Sequence, residues 1–474
     1  MKSRKELLTQ DKSILSGILL LAWPIVCQSL LQVVIGTVDI KMVGSFGDNA
    51  IAAVGFGRQI VMIAMVLVMA ISTGATAMVA RFIGMGDHKQ ASSAAGQAFI
   101  LALLISVIMV PLGLLTQSSI LNLMGAGPET SELAIGYMTV FFLSVPLFLL
   151  NFVARSIFQG AGDTVTPLII DIVMNLLNIL FNYIFIFGFG PIPTLGVTGA
   201  AIGTALARLV GASLGWGALL TGKFIITITF QQLYKPVFKV IKQILTIGLP
   251  AGLQGLSRNL STVIIFALLA RTTAEDLANA TFTIGMNLNQ YALMPGLAIG
   301  TAAATLSGMN LGAGNKDRAE KSGYLCMLLA AGFMSTVALI FVIFSTEFLT
   351  FFSSEASPEL ISMGRTLLIC LALAEPFHAM AIIFSRSMQG AGYTLMPFLT
   401  TLFSWLFVRV PLAYYLAFQL NMQETGIWVA IASTNFLAGM LNFIFFKTGK
   451  WKTVKIDSKD DDKERSAITL KKAI

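Results

Sequence analysis

About twelve times along the chain, some 20 residues pass with scarcely a charge among them, each run long enough to cross the roughly 30 Å hydrocarbon core of a bilayer as a helix. The runs read as spans at 13–40, 53–80, 93–116, 133–157, 165–188, 197–221, 242–270, 278–308, 322–345, 358–388, 394–419 and 424–447. With a mean hydropathy of +0.82 and only 11% charged residues, such a chain cannot cover a soluble surface. It reads as a polytopic membrane protein. A segment in hydrocarbon must satisfy its own backbone, so the predicted class is all-α. The first apolar run is too long for a signal peptide and no small-residue cleavage site ends it, so it is expected to stay in the mature protein.

Lys and Arg collect in alternate connections: Lys2, Arg4, Lys5 and Lys12; Arg81 and Lys89; Arg155; Lys223, Lys235, Lys239 and Lys242; Lys316, Arg318 and Lys321; Arg386; and the tail. The intervening connections carry mostly acids, Glu129, Glu132, Glu275, Asp276, Glu347, Glu355, Glu359 and Glu424, with Arg271 the exception. The positive-inside rule then puts both termini in the cytoplasm of a plasma (inner) membrane. The formal net charge of +8 reflects topology and not a nucleic-acid footprint. Cys27, Cys326 and Cys370 sit in separate apolar runs without metal-ligand spacing and read as small buried hydrophobes.

The chain is also written twice. "PLFLLNFVARSIFQGAGDTVTP" from Pro146 matches "PFHAMAIIFSRSMQGAGYTLMP" from Pro376. "TGATAMVARFIGMGDHKQA" from Thr73 matches "TAAATLSGMNLGAGNKDRA" from Thr301, and Pro24 answers Pro250. Each half holds an even number of spans, so both enter the membrane in the same sense and are related by a pseudo-two-fold axis along its normal. The expected fold is two six-helix bundles: a cytoplasmic segment 1–12, an N-lobe 13–221, a basic cytoplasmic linker 222–241, a C-lobe 242–448 and a disordered mixed-charge cytoplasmic tail 449–474. Two facing bundles imply a cleft, where secondary transporters bind substrate and alternate access by rocking. Pro24 marks a place where the first span can bend.

One span breaks the apolar pattern. In "DIVMNLLNILFN", Asp171, Asn175, Asn178 and Asn182 recur at helical spacing and fall within roughly 60° of one another, a polar stripe on a greasy helix.

These sequences resemble the multidrug and toxic compound extrusion family over about residues 10 to 448. The likeness rests on "VDIKMVGSFGDNAIAAVG" from Val38, the "GMGD" and "GAGN" loops, "QGAGDTVTP" and its partner, "NILFNYIFIFG" from Asn178 and "GVTGAAIGTALAR" from Gly196. The resemblance implies an antiporter that exports bulky, cationic or amphipathic compounds against inward Na⁺ or H⁺, with no other cofactor. It also implies a cation site in the N-lobe, matching Asp39, Asn178, Asn182 and Thr204. Some relatives carry Asp where this chain has Asn182, so the ion and its stoichiometry stay open.

Depth agrees with that assignment. At 1.5 Å per residue, Asn182 lies about 9 Å and Thr204 about 10 Å below the outer ends of their spans, level with Asp39, and Asn178 lies one turn deeper. A lone carboxylate there is costly unless a cation or donors compensate it, and oxygen donors from Asn and Thr suit Na⁺. Against this stands interhelical hydrogen bonding that merely joins helices. Asp171 and Asn175, deeper still, line the inner end of a water-filled path or, for Asp171, snorkel toward the cytoplasm.

In the C-lobe, Glu375 and His378 share a face and read either as a pH-sensitive element or as a structural polar pair. Arg258 and Arg409 either meet an anionic part of a substrate or pair with Glu375. Asn287, Asn289, Gln290 and Tyr291 form a polar cluster suited to a second-lobe cavity. With two His, no HExxH and no paired-carboxylate motif within the membrane region, the chain is not read as an enzyme. It has no phosphate-binding loop and so no ATPase of its own. The expected partners are small molecules, organic cations or amphipathic drugs, and the lipid bilayer, with the chain a monomer. A lipid-linked saccharide flippase is the alternative, with a more cationic cavity as its mark.

Overall fold

The computed structural model describes residues 13–222, 225–352 and 357–456. The N-terminal segment 1–12, Lys223, Glu355 and the tail from 457 lie outside the described residues. Among these, eleven helices are long and apolar enough to cross a membrane, or twelve when one bent pair is a single span. We number them α1 (Ile14–Gly44), α2 (Asp48–Met85), α3 (His88–Leu123), α4 (Pro128–Leu143 with Val145–Gly160), α5 (Val165–Phe187), α6 (Gly196–Leu220), α7 (Phe238–Leu269), α8 (Glu275–Gly312), α9 (Lys316–Ile343), α10 (Pro358–Gly390), α11 (Leu395–Gln419) and α12 (Gln423–Lys447). All twelve sequence-predicted spans are found. α2 and α3 extend furthest past their apolar runs, because a helix that has left hydrocarbon can continue through polar residues until a turn stops it.

The repeat is visible in the turns. Gly162 in "QGAGD" and Gly392 in "QGAGY" both take a left-handed conformation, φ +78° and +86°, which glycine adopts without a steric cost. After the first turn, the Asp163 carboxylate accepts hydrogen bonds from the backbone N–H of Val165 and Thr166 and so satisfies donors exposed at the start of α5.

Equivalent prolines act differently in the two halves. α4 bends by 51° at Ser144, just ahead of Pro146, where the missing N–H and the ring break the ladder. Pro376 sits inside an unbroken α10, and α1 likewise runs as one helix through Pro24. Pro24 cannot donate to the carbonyl four residues back, and Thr164 Oγ1 donates to that carbonyl, Leu20 O, instead. α11 differs from α5 by two stretches of π-helix, Phe403–Val408 and Tyr415–Gln419.

α2 joins the halves by packing on α7 and α8, and α1 packs on α8. The closest approaches lie toward the basic ends of these helices. A Cβ on Gly248 of α7 would land on the Ala70 carbonyl of α2, and one on Gly312 of α8 on the Arg81 carbonyl.

One connection carries structure that its composition does not show, and one expectation needs correction. The linker carries a short helix, Phe230–Tyr234, with a Thr229/Gln232 capping box, and Gln97 of α3 holds the chain beyond it through Lys235 O and Val237 N. Residues 449–456, assigned to a disordered tail, are packed. Trp451 is fully buried, stacked on Phe446 and donating to its carbonyl, and Lys452 pairs with Glu320 of α9. Arg81 at the end of α2 donates to Val454 O at 3.1 Å, so this segment touches both halves. Its apolar anchors, Trp451 and Ile456, are what the mixed-charge reading overlooked.

Candidate functional site

Three helices of the first half bring the polar stripe of α5 together with Asp39 of α1 and Thr204 of α6. Asn182 Nδ2 donates to Asp39 Oδ1 at 2.8 Å and lies 3.4 Å from Asn178 Oδ1. Asn178 Nδ2 donates to Thr204 Oγ1 at 3.1 Å. The i, i+4 spacing of the two Asn residues makes this chain possible, and α6 approaches closely because Gly203 has no Cβ to meet the Asn182 amide. All four residues assigned to a cation site in the sequence are therefore in one cluster.

The cluster retains an unused acceptor. Asn182 is fully buried, and its Oδ1 has no hydrogen-bond partner among the described residues. A buried orphan oxygen carries a desolvation cost that a ligand can remove. With the Asp39 carboxylate, Asn178 Oδ1 and Thr204 Oγ1, it forms a hard oxygen donor set, which fits Na⁺, while Asp39 alone can carry a proton.

Arg208 belongs with this group and was not singled out in the sequence. It lies one turn beyond Thr204 on α6, near enough for its charge to act on Asp39, and it stacks over Phe148 at 4.8 Å. The i, i+4 relation to Thr204 in "TALAR" was the available signal.

Deeper on the same stripe, Asp171 is held by Arg155 of α4 at 2.7 Å, which sets aside the snorkelling alternative. Asn175 is half-buried between the two levels. Beside them a cavity of about 300 Å³ lies between the halves, with Gln28, Arg155 and Gln159 on one side and Thr301, Arg386 and Gln389 on the other.

The second half encloses another cavity of about 220 Å³, lined by Arg258 of α7, Asn289 and Gln290 of α8, His378 of α10, Trp405 and Arg409 of α11, and Asn435 of α12. Asn287 is exposed and stands about 200° around α8 from Asn289, so the proposed polar cluster divides. Glu375 and His378 face each other at 3.7 Å, beyond hydrogen-bond reach. Arg409 does not pair with Glu375. Its Nε donates to Thr434 Oγ1 at 2.8 Å and its Nη2 to Asn435 Oδ1 at 2.6 Å, and Arg258 has no carboxylate partner among the described residues. Both acceptors come from α12, and the sequence does not show which residues of that helix face Arg409.

A family model described as MatE matches residues 24–184 and 250–415, one stretch in each half. The chain is 29% identical over 450 residues to a probable multidrug resistance protein NorM of Thermotoga maritima, with 94% of both sequences covered. It superposes on a MATE structure in a bent conformation with a TM-score of 0.86 at 26% identity, covering 94% of this chain and 97% of the other. A MOP superfamily transporter from Pyrococcus furiosus shares the fold, with a TM-score of 0.87 at 24% identity over 95% and 99% of the two chains.

Proposed function

The chain belongs to the MatE family, and on that premise we propose that it is a cation-coupled antiporter that exports amphipathic or cationic compounds by alternating access between its two lobes. The one observation that carries the coupling is the Asp39, Asn178, Asn182 and Thr204 cluster with the orphan Oδ1 of Asn182. The similarity to a probable multidrug resistance protein supports export of drugs.

In this reading Na⁺ or H⁺ reaches Asp39 from outside. Binding removes the carboxylate charge from the electrostatics of the first lobe and frees the Asn182 amide to reorient. Because α1 packs against both α5 and α8, a change at Asp39 is passed to the face where the lobes meet. The glycine contacts of α2 with α7 and α8 close the basic end, which the charge distribution puts in the cytoplasm. The cavity between the lobes then holds substrate on its way out. Both termini are cytoplasmic, and the protein works as a monomer in the plasma membrane.

The test is export of a fluorescent cationic dye from proteoliposomes under an imposed Na⁺ or H⁺ gradient, comparing wild type with Asp39→Asn. Gradient-driven export lost in the variant with dye binding retained supports the reading and names the ion. Equal export by both proteins removes Asp39 from coupling.

A further inference from the structure

The second lobe repeats the place of the cation cluster with the opposite charge. Gly196 and Thr204 of α6 align with Gly426 and Thr434 of α12 at one offset, since 426 − 196 and 434 − 204 both equal 230. Thr204 accepts from an amide that leads to Asp39. Thr434 accepts from the guanidinium of Arg409, 4% exposed, at 2.8 Å.

Two cations converge there on one ring. Arg409 stacks 3.7 Å from the centre of Trp405, and Arg258 approaches the same indole at 5.6 Å. None of the residues lining this cavity is acidic. Glu375 faces His378 and stands outside the lining. Among the described residues Arg409 holds only neutral acceptors, and Arg258 Nε is buried with no hydrogen-bond partner. Like charges in a low-dielectric site repel, and a buried cation persists when something compensates it. Indole faces supply part of that compensation. An anion supplies the rest.

The backbone is shaped for the same purpose. Trp405 lies in the π-helical stretch Phe403–Val408, a local widening that recurs at functional sites. Its carbonyl is taken by Ser261 Oγ of α7 at 2.7 Å. Phe282, Met286, Leu293 and Ile431 give the cavity an apolar floor.

We infer that this cavity is a binding site for amphipathic organic anions, a carboxylate, sulfonate or phosphate head held by Arg258 and Arg409 with a flat apolar body against Phe282 and Ile431. The site goes beyond the coupling reading and needs neither an ion nor a gradient.

Equilibrium dialysis of the purified full chain in detergent tests it, with naphthalene-2-sulfonate as the anionic probe and a naphthylmethylammonium of the same size as its cationic match. The sulfonate binds about ten-fold or more tightly than the ammonium. Arg258→Gln weakens sulfonate binding by about ten-fold, as expected for loss of a charge-assisted hydrogen bond, while Arg258→Lys stays within about three-fold. Ile431→Trp, which fills the cavity without touching a charge, also abolishes sulfonate binding and stands in if the Arg258 variants unfold. Equal affinity for both probes, or sulfonate binding that survives both Arg258→Gln and Ile431→Trp, overturns the assignment. Asp39→Asn leaves sulfonate binding unchanged if the two sites are separate, so loss of coupled export and loss of this site are read independently.

Discussion

Asn182 Nδ2 stands 2.8 Å from Asp39 Oδ1, an amide of α5 serving the one carboxylate of the first-lobe cluster. Asn182→Leu is expected to keep the fold but lower gradient-driven export by about ten-fold or more, because Asp39 loses the Asn182 amide as a donor and the ion loses an oxygen. Initial export rates in proteoliposomes at fixed gradient measure this. Equal rates would mean that the amide only joins the two helices.

Asn182→Asp adds a second carboxylate beside the first. The expected outcome is a rise in the number of cations coupled per substrate, read from the gradient at which net flux reverses. An unchanged reversal point would show that position 182 lies outside the coupling stoichiometry.

Arg155 and Asp171 form a largely buried pair at 2.7 Å. Arg155→Leu leaves an uncompensated carboxylate and is expected to cost about 3–5 kcal/mol, while adding Asp171→Leu recovers most of it. Thermal unfolding of the four proteins of a double-mutant cycle in one detergent decides the matter. Additive effects would show that the pair is not coupled.

Gly248→Ala would press a methyl group onto Ala70 across the two lobes. Overpacking of about 1–3 kcal/mol should fall on the arrangement with the basic end closed and shift the protein away from it. Distances between spin labels on the two lobes report the shift. Gly332→Ala, in open space on α9, is the control and should leave the distances alone.

How far the sequence reached depended on which distances it encodes. The spans were legible because hydrocarbon thickness is a length, and length is what a run of apolar residues measures. The repeat was legible for a similar reason, since "QGAG" with a proline on either side fixes the same left-handed turn at Gly162 and Gly392. The cation cluster came from two sources: i, i+4 spacing put Asn178 and Asn182 on one face, and family resemblance supplied Asp39 and Thr204. Partners drawn from distant helices were not legible. Neither the Thr434 and Asn435 acceptors for Arg409 nor the Arg155 partner of Asp171 follows from any local pattern. The bend at Ser144 and the unbroken helix at Pro376 begin from the same residue type, and only the packing around each separates them.

The hydrogen bond from Arg81 to Val454 joins residues 373 positions apart. At ribosomal rates of about 5–20 residues per second, the first lobe waits roughly 20 to 75 seconds between the appearance of that guanidinium and the arrival of its acceptor. During that interval the Arg81 guanidinium, whose Nε and Nη1 have no hydrogen-bond partner among the described residues, has only water, headgroups or a chaperone to meet it. The strap that the C-terminal segment lays on α2 is thus a late event of biogenesis, and a nascent chain stalled before Val454 holds two lobes already packed through α2, α7 and α8 but without that strap.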